Sequence, residues 1–206
     1  MEIYSTEEQQ AEAIKRFFRE NGVSLALGIV IGLGGLYGWK AYNQSQIDSA
    51  EAASNAYNQF VESEDVLAAS DSFVKENGDS NYAVLAAFVA AKEAADKQQL
   101  DVAAHKLQWA ADNVQNLELK ATALTRLARV QLAQQQFEDA LATLGKPMPE
   151  SFKAQISEIK GDIFLAQGNK EQAKSQYQAA LEASTESANT LLKIKLDDLA
   201  SAQPAA

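Results

Sequence analysis

An unbroken run of uncharged, mostly apolar residues extends from Val23 to Trp39 near the start of an otherwise polar chain. At about 1.5 Å of rise per residue, this run and its flanking residues come close to spanning a hydrocarbon core of about 30 Å. The pattern therefore predicts one transmembrane helix, which we place at residues 23–42. The residues before it, 1–22, form a short segment of their own.

The positive charges around this run are distributed unevenly. Lys15, Arg16 and Arg19 precede it, whereas after Lys40 the next cation is Lys75. Because the flank richer in lysine and arginine stays in the cytoplasm, the bias places the N-terminus inside and exports the rest of the chain. The sequence therefore predicts a single-pass protein with a cytoplasmic N-terminus.

A cleavable signal peptide is the competing interpretation of the same run. An A-x-A triplet occurs at residues 50–52, as signal peptidase sites require. The triplet lies more than ten residues beyond the run, and the bulky Trp39 and Tyr42 occupy the usual cleavage region. The pattern favours an uncleaved signal-anchor.

Glycine is concentrated in the apolar run, with six of the ten glycines between Gly22 and Gly38. Gly28 and Gly32 are four residues apart and form, with Gly35, a strip of small residues where another transmembrane helix can approach closely. Glycine is also generally enriched in membrane helices. A helix-docking face and ordinary enrichment both remain open.

The remainder of the chain has the pattern of an all-α protein. Its prolines are confined to positions 147, 149 and 204, and alanine, glutamine, leucine, glutamate and lysine dominate. Apolar spacing predicts that a helix continues to about residue 62 and that a second covers 66–76. We assign residues 43–80 to linking and N-capping helices.

Residues 81–206 contain a repeated pattern. The small residues Ala91, Ala128 and Gly161 recur at intervals of 37 and 33, each followed by similarly spaced apolar positions. This is the spacing of tetratricopeptide-like repeats, in which small residues let two antiparallel helices cross closely. The sequence predicts an α-solenoid of about three helical hairpins, capped by a last helix at 187–199.

Composition narrows the function of this domain. From residue 43 onward there are 14 lysines and arginines against 23 aspartates and glutamates, so nucleic acid is an unsuitable partner and basic proteins are suitable ones. The chain has no cysteine and one histidine, His105, so the usual zinc ligand sets cannot form. With no nucleophile motif or phosphate loop either, we predict a non-enzyme without cofactor or metal.

A repeat domain of this kind offers a concave wall made by the first helix of each hairpin. Its mixture of apolar, polar and charged residues suits a protein or peptide ligand, although the same residues could be surface without a ligand. Repeat alignment assigns to this wall Leu85, Phe88, Lys92, Thr122, Thr125, Arg129, Gln155, Glu158 and Asp162.

Four segments together resemble the YfgM family, the ancillary subunits of the bacterial SecYEG translocon. They are the opening Met-Glu-Ile-Tyr, the block at 12–22, the glycine-rich anchor ending in Gly38 and Trp39, and the stretch at 127–131. The resemblance runs along the whole chain. It implies a single-pass inner-membrane protein of Gram-negative bacteria with a tetratricopeptide-like periplasmic domain.

The resemblance also implies partners. They are the SecYEG translocon and a membrane-anchored periplasmic prolyl-isomerase-like chaperone, with other periplasmic chaperones and exported clients beyond them. The implied function is a non-catalytic adaptor that helps hand exported polypeptides to those chaperones. The alternatives are a stress-response regulator acting through the cytoplasmic residues 1–22 and a scaffold for envelope assembly or division.

Overall fold

The computed structural model describes residues 7–78, 80–184 and 189–201. Within these residues the regular structure is helical throughout, as the sequence predicted, and no strand occurs. The chain divides into two compact units, one that ends at Ala52 and one that begins at Ala53.

The first unit consists of most of helix α1 (Glu7–Val61). Every residue from 23 to 52 is exposed, including Val23 at 85%, Ile29 at 60% and Leu36 at 67%. Among the described residues this is the one helix long and apolar enough to cross a membrane. An apolar surface left uncovered on all sides is unfavourable in water and favourable in lipid, which fits the predicted transmembrane helix.

The second unit contains the end of α1 and the following helices of the described chain. They are α2 (Val66–Asn77), α3 (Asn81–Asp96), α4 (Leu100–Asn113), α5 (Leu117–Ala133), α6 (Phe137–Leu144), a 3-10 turn at Glu150–Phe152, α7 (Lys153–Ala166), α8 (Lys170–Ala183) and α9 (Asn189–Ser201).

These helices form three successive hairpins, α3 with α4, α5 with α6 and α7 with α8. The predicted small residues lie where the first helix of each hairpin is buried, with Ala91 at 3% exposure and Ala128 at 0%. Gly161 is the tightest of them, because a Cβ placed there would lie 2.4 Å from the ring of Tyr177. The predicted repeat architecture is therefore confirmed.

The same turn closes each hairpin. Gln98, Gln135 and Gly168 occupy it with φ of 60°, 61° and 80°. In all three, the backbone N–H of this residue donates to the carbonyl three residues earlier at 2.9 Å. A left-handed residue ending a helix in this way is usually glycine, and two of the three positions here are glutamine. The repeat is thus more regular in its backbone than in its sequence.

Both ends of the stack are covered. At the N-terminal end, Phe60 of α1 packs against Phe73 of α2 with their ring centroids 5.2 Å apart. At the C-terminal end, Leu192 and Leu199 of α9 are buried in one cluster with Tyr177. Residues 187 and 188 of the predicted last helix lie outside the described residues.

A buried lysine fastens α2 to the first hairpin. Lys106 of α4 is 7% exposed and donates to the hydroxyl of Ser70 at 2.8 Å and to the carboxylate of Asp71. Burying a lone ammonium would be strongly unfavourable, and these two acceptors offset that cost. The sequence pattern did not predict this contact, because a lysine in a helical pattern is ordinarily expected at the surface.

Candidate protein-binding groove

A groove of about 290 Å³ lies between α3 and α5, with α4 below it. We call it the α3–α5 groove. Three residues of the predicted wall, Phe88, Lys92 and Arg129, come together in it. Its complete lining is Phe88, Ala91, Lys92, Ala95, Leu107, Arg126, Arg129 and Val130.

The floor of this groove is apolar and its rim is cationic. The guanidinium carbon of Arg126 lies 4.9 Å from the ring centroid of Phe88, within cation–π range. Lys92 donates to Asp96 at 2.7 Å, and this hydrogen bond raises the pKa of Lys92. Arg126 and Arg129 are exposed, and neither forms an ion pair in the described part of the chain.

The assignment of Thr125 to the wall is wrong. Thr125 is 1% exposed, and its hydroxyl donates to the carbonyl of Ala121 at 2.9 Å. Repeat alignment assigned Thr125 to the wall, but the side chain that lines the groove is that of the next residue, Arg126. The spacing of Arg126 and Arg129 on one helical face was the signal that could have identified it.

Leu85 and Thr122 lie outside the groove lining. Leu85 is half-buried and packs against the core of the first hairpin. The hydroxyl of Thr122 donates to the carbonyl of Glu118 at 2.8 Å, so its one donor is used within α5. Both residues therefore contribute to the scaffold of the unit.

Glu158 and Asp162 are also not free for a ligand, contrary to their assignment. Lys195 of α9 donates to Glu158 Oε1 at 2.8 Å and to Asp162 Oδ1 at 2.7 Å. The hydroxyl of Tyr177 donates to Asp162 Oδ1 at 2.7 Å. The contact arises because α9 folds back over α7, which periodicity within α7 could not indicate. Gln155 lines a separate hollow between α7 and α9.

The environment of this cluster fixes its protonation states. Burial lowers the pKa of Lys195, but hydrogen bonds and charge from Asp162 and Glu158 outweigh that effect and leave it raised. Burial, and then the hydrogen bond to Asp162, raises the pKa of Tyr177 far above its usual range. Near neutral pH the ammonium is charged and the phenol neutral, so the cluster acts as a fixed clamp for α9.

In the first unit, the predicted topology and docking residues are all exposed. Lys15, Arg16 and Arg19 have exposed side chains. A Cβ added at Gly28, Gly32 or Gly35 would find no atom within 4 Å beyond its chain neighbours and the nearby backbone of its own helix. No contact with the rest of the described chain accounts for these residues, so their predicted roles stay predictions.

Comparison with known proteins agrees with this architecture. The family model described as a tetratricopeptide repeat-like domain matches residues 15–201. No solved structure matches the chain.

Curated relatives cover nearly the whole chain. An Escherichia coli K12 protein named ancillary SecYEG translocon subunit is 37% identical over 97% of this chain and 99% of its own. A Haemophilus influenzae protein of the same name is 31% identical over 94% and 97%, and one from Neisseria gonorrhoeae is 30% identical over 97% and 100%. The chain, with its exposed apolar helix and its stack of helical hairpins, therefore belongs to the family of ancillary SecYEG translocon subunits (YfgM).

Proposed function

We propose that this protein is a non-catalytic membrane adaptor that associates with the SecYEG translocon and helps hand exported polypeptides to periplasmic chaperones. The observation that carries the proposal is the pairing of a bare apolar helix with a packed repeat unit, in a chain whose relatives are named translocon subunits. The first feature anchors the protein in a membrane, and the second presents surfaces for other proteins.

The proposed location is the bacterial inner membrane, with the N-terminus in the cytoplasm and the repeat unit in the periplasm. The cations Lys15, Arg16 and Arg19 before the apolar run support this orientation. The same arrangement holds the repeat unit near polypeptides that leave the translocon.

Two surfaces are proposed to hold the partners. The strip at Gly28, Gly32 and Gly35 faces a transmembrane helix of the translocon, which the open space above each glycine supports. The repeat unit holds a membrane-anchored periplasmic prolyl-isomerase-like chaperone and further chaperones, with the α3–α5 groove as one contact. Arg126 and Arg129, which form no ion pair with any residue that the structure describes, support a role for that groove in binding.

Co-purification tests the adaptor role. The full-length chain, tagged at its C-terminus, is extracted in a mild detergent and its companions are identified by mass spectrometry. We expect translocon subunits and a periplasmic chaperone. Recovery of neither would refute the proposal. Gly28→Leu with Gly32→Leu should reduce translocon recovery, whereas Ala26→Leu, about half a turn away on the same helix, should not.

The absence of native cysteines makes orientation directly measurable. Ser175→Cys places a thiol on an exposed position of α8, and Ala11→Cys places one near the start of α1. In intact spheroplasts, a membrane-impermeant maleimide should label the first variant and spare the second. The reverse pattern would contradict the proposed topology.

A further inference from the structure

We propose that the α3–α5 groove binds a short acidic segment of a partner protein that carries a large apolar side chain. This inference rests on the proposed function in one respect, namely that the repeat unit binds other proteins. It goes further by stating the chemistry of the bound segment. The opposite chemistry, a basic segment, is what the net charge of −10 alone would favour.

The charged residues that line the groove are all cations. Three of its residues are cations, Lys92, Arg126 and Arg129, and none is a carboxylate; the charge of Lys92 is offset by Asp96 outside the lining, so the excess comes from the two arginines. The two arginines are also the only ones after the apolar run. Although the chain has ten more acidic than basic residues, both of these arginines line the same groove. At physiological salt, charges act over about 8 Å, so this local excess governs a ligand seated there more than the net charge does.

Arginine is the cation best suited to bind a carboxylate. A guanidinium offers a planar fork of donors that matches a carboxylate with two parallel hydrogen bonds, which an ammonium cannot provide. Neither Arg126 nor Arg129 forms such hydrogen bonds with an acidic neighbour among the described residues. Lys92 is already bonded to Asp96, so the arginines are the groups that a ligand carboxylate would meet.

The floor requires an apolar side chain. Phe88 and Leu107 are 7% and 3% exposed and form the base of the groove, with Val130 beside them. Arg126 lies over the Phe88 ring, and this stacking holds its guanidinium above the apolar surface. An apolar residue on the floor and a carboxylate at the rim can therefore bind side by side.

The length of the groove limits the segment. From Phe88 to Ala95 the α3 edge covers eight residues, about 10 Å from first to last at the helical rise. An extended chain advances about 3.3 Å per residue, so about three or four residues fit along it. The bound element is thus a short motif within a longer partner.

Fluorescence anisotropy with labelled synthetic peptides tests this chemistry on the full-length chain in detergent. The probe has the sequence Gly-Ser-Asp-Glu-Leu-Phe-Glu-Asp-Gly. One control peptide carries lysine at its four acidic positions, and another carries serine in place of Leu-Phe. We expect binding of the acidic probe, and binding about ten-fold or more weaker for each control. Equal binding of the basic peptide would overturn the proposal.

Variants locate the binding. The double variant Arg126→Glu with Arg129→Glu should bind the acidic probe about ten-fold or more weakly and should bind the basic peptide more tightly. The matched pair Lys146→Glu with Lys174→Glu makes the same charge change at exposed positions outside the groove and should alter binding by less than about two-fold. Equal losses in both pairs would show a general charge effect and refute the assignment.

The two proposals fail in distinguishable ways. If the acidic probe does not bind while translocon and chaperone still co-purify, the groove chemistry is wrong and the adaptor role stands. If the companions are absent, the adaptor role fails whatever the peptide does. Unchanged thermal unfolding by circular dichroism, measured for each variant, shows that a loss of binding is not a loss of fold.

Discussion

Glycine serves different purposes in the two units of this chain. In the first unit, a Cβ at Gly28 would meet no atom within 4 Å, whereas in the second a Cβ at Gly161 would lie 2.4 Å from the Tyr177 ring. Gly161 permits a close helix crossing within the chain. Gly28 permits no such crossing within the described residues, and the close approach proposed for it involves another molecule. The role of each glycine therefore depends on the group that packs against it.

Apolar residues show the same contrast. Ile159 is 0% exposed in the core of the second unit, and Ile29 is 60% exposed in the first. The core residue stabilises the fold by its burial against neighbours. The exposed one contributes nothing to the packing of the described chain and is available to lipid or to a partner helix. Equivalent substitutions in the two units should therefore have very different effects.

The largest difference is expected for isoleucine truncation. Ile159→Ala leaves a cavity in the core and should reduce the free energy of unfolding of the second unit by about 2–5 kcal/mol. Ile29→Ala should leave it unchanged. Urea unfolding of the full-length chain in detergent, followed by Trp109 fluorescence in a Trp39→Phe background, measures both. A comparable loss for Ile29→Ala would show that the exposed helix supports the fold.

A smaller difference is expected for glycine. Gly161→Ala forces a methyl group against the Tyr177 ring, which is 0% exposed and tied through its hydroxyl to Asp162. Overpacking costs about 1–3 kcal/mol and the better helix propensity of alanine returns about 1, so a net loss of up to about 2 kcal/mol should appear in the same urea experiment. Gly28→Ala, the matched control, should cause none. If Gly161→Ala retains its stability, the two helices can accommodate the added methyl group at their crossing.

The smallest effects are expected at the hairpin turns. Gln98→Gly and Gln135→Gly relieve a left-handed conformation that costs a side chain about 1–2 kcal/mol, less the entropy of a more flexible unfolded chain. Each should stabilise the second unit by about 0.5 kcal/mol.

The third turn supplies the reverse substitution. Gly168→Ala should destabilise the second unit by about 1 kcal/mol, because it introduces that strain at φ of 80°. Thermal unfolding followed by circular dichroism resolves these shifts. Opposite signs at the two glutamines would show that their side chains stabilise the turns by other contacts.

The long apolar helix and the repeats were predictable because each follows from a local sequence pattern. A long apolar run predicts a helix able to cross a membrane without reference to any distant residue. The recurrence of Ala91, Ala128 and Gly161 likewise marks three hairpins, since each small residue repeats the same crossing. In both cases the signal lies within one element or between equivalent elements.

The predicted wall agrees with the structure only in part. Phe88, Lys92 and Arg129 do share a groove, but Thr125 was assigned where Arg126 belongs. One residue along a helix rotates a side chain by about 100°, so a small difference in helix packing exchanges a buried position for an exposed one. Alignment of unequal repeats cannot resolve such a difference.

The sequence by itself determined the all-helical class, the long apolar helix, the repeat period and the acidic balance, because each depends on residue types and local spacing. Only the tertiary structure decided which charges are used internally and which remain available. Glu158 and Asp162 are occupied because α9 brings Lys195 to them, whereas Arg126 and Arg129 face a groove that contains no carboxylate. Contacts between helices far apart in the chain depend on how the whole stack packs, and no local pattern specifies them.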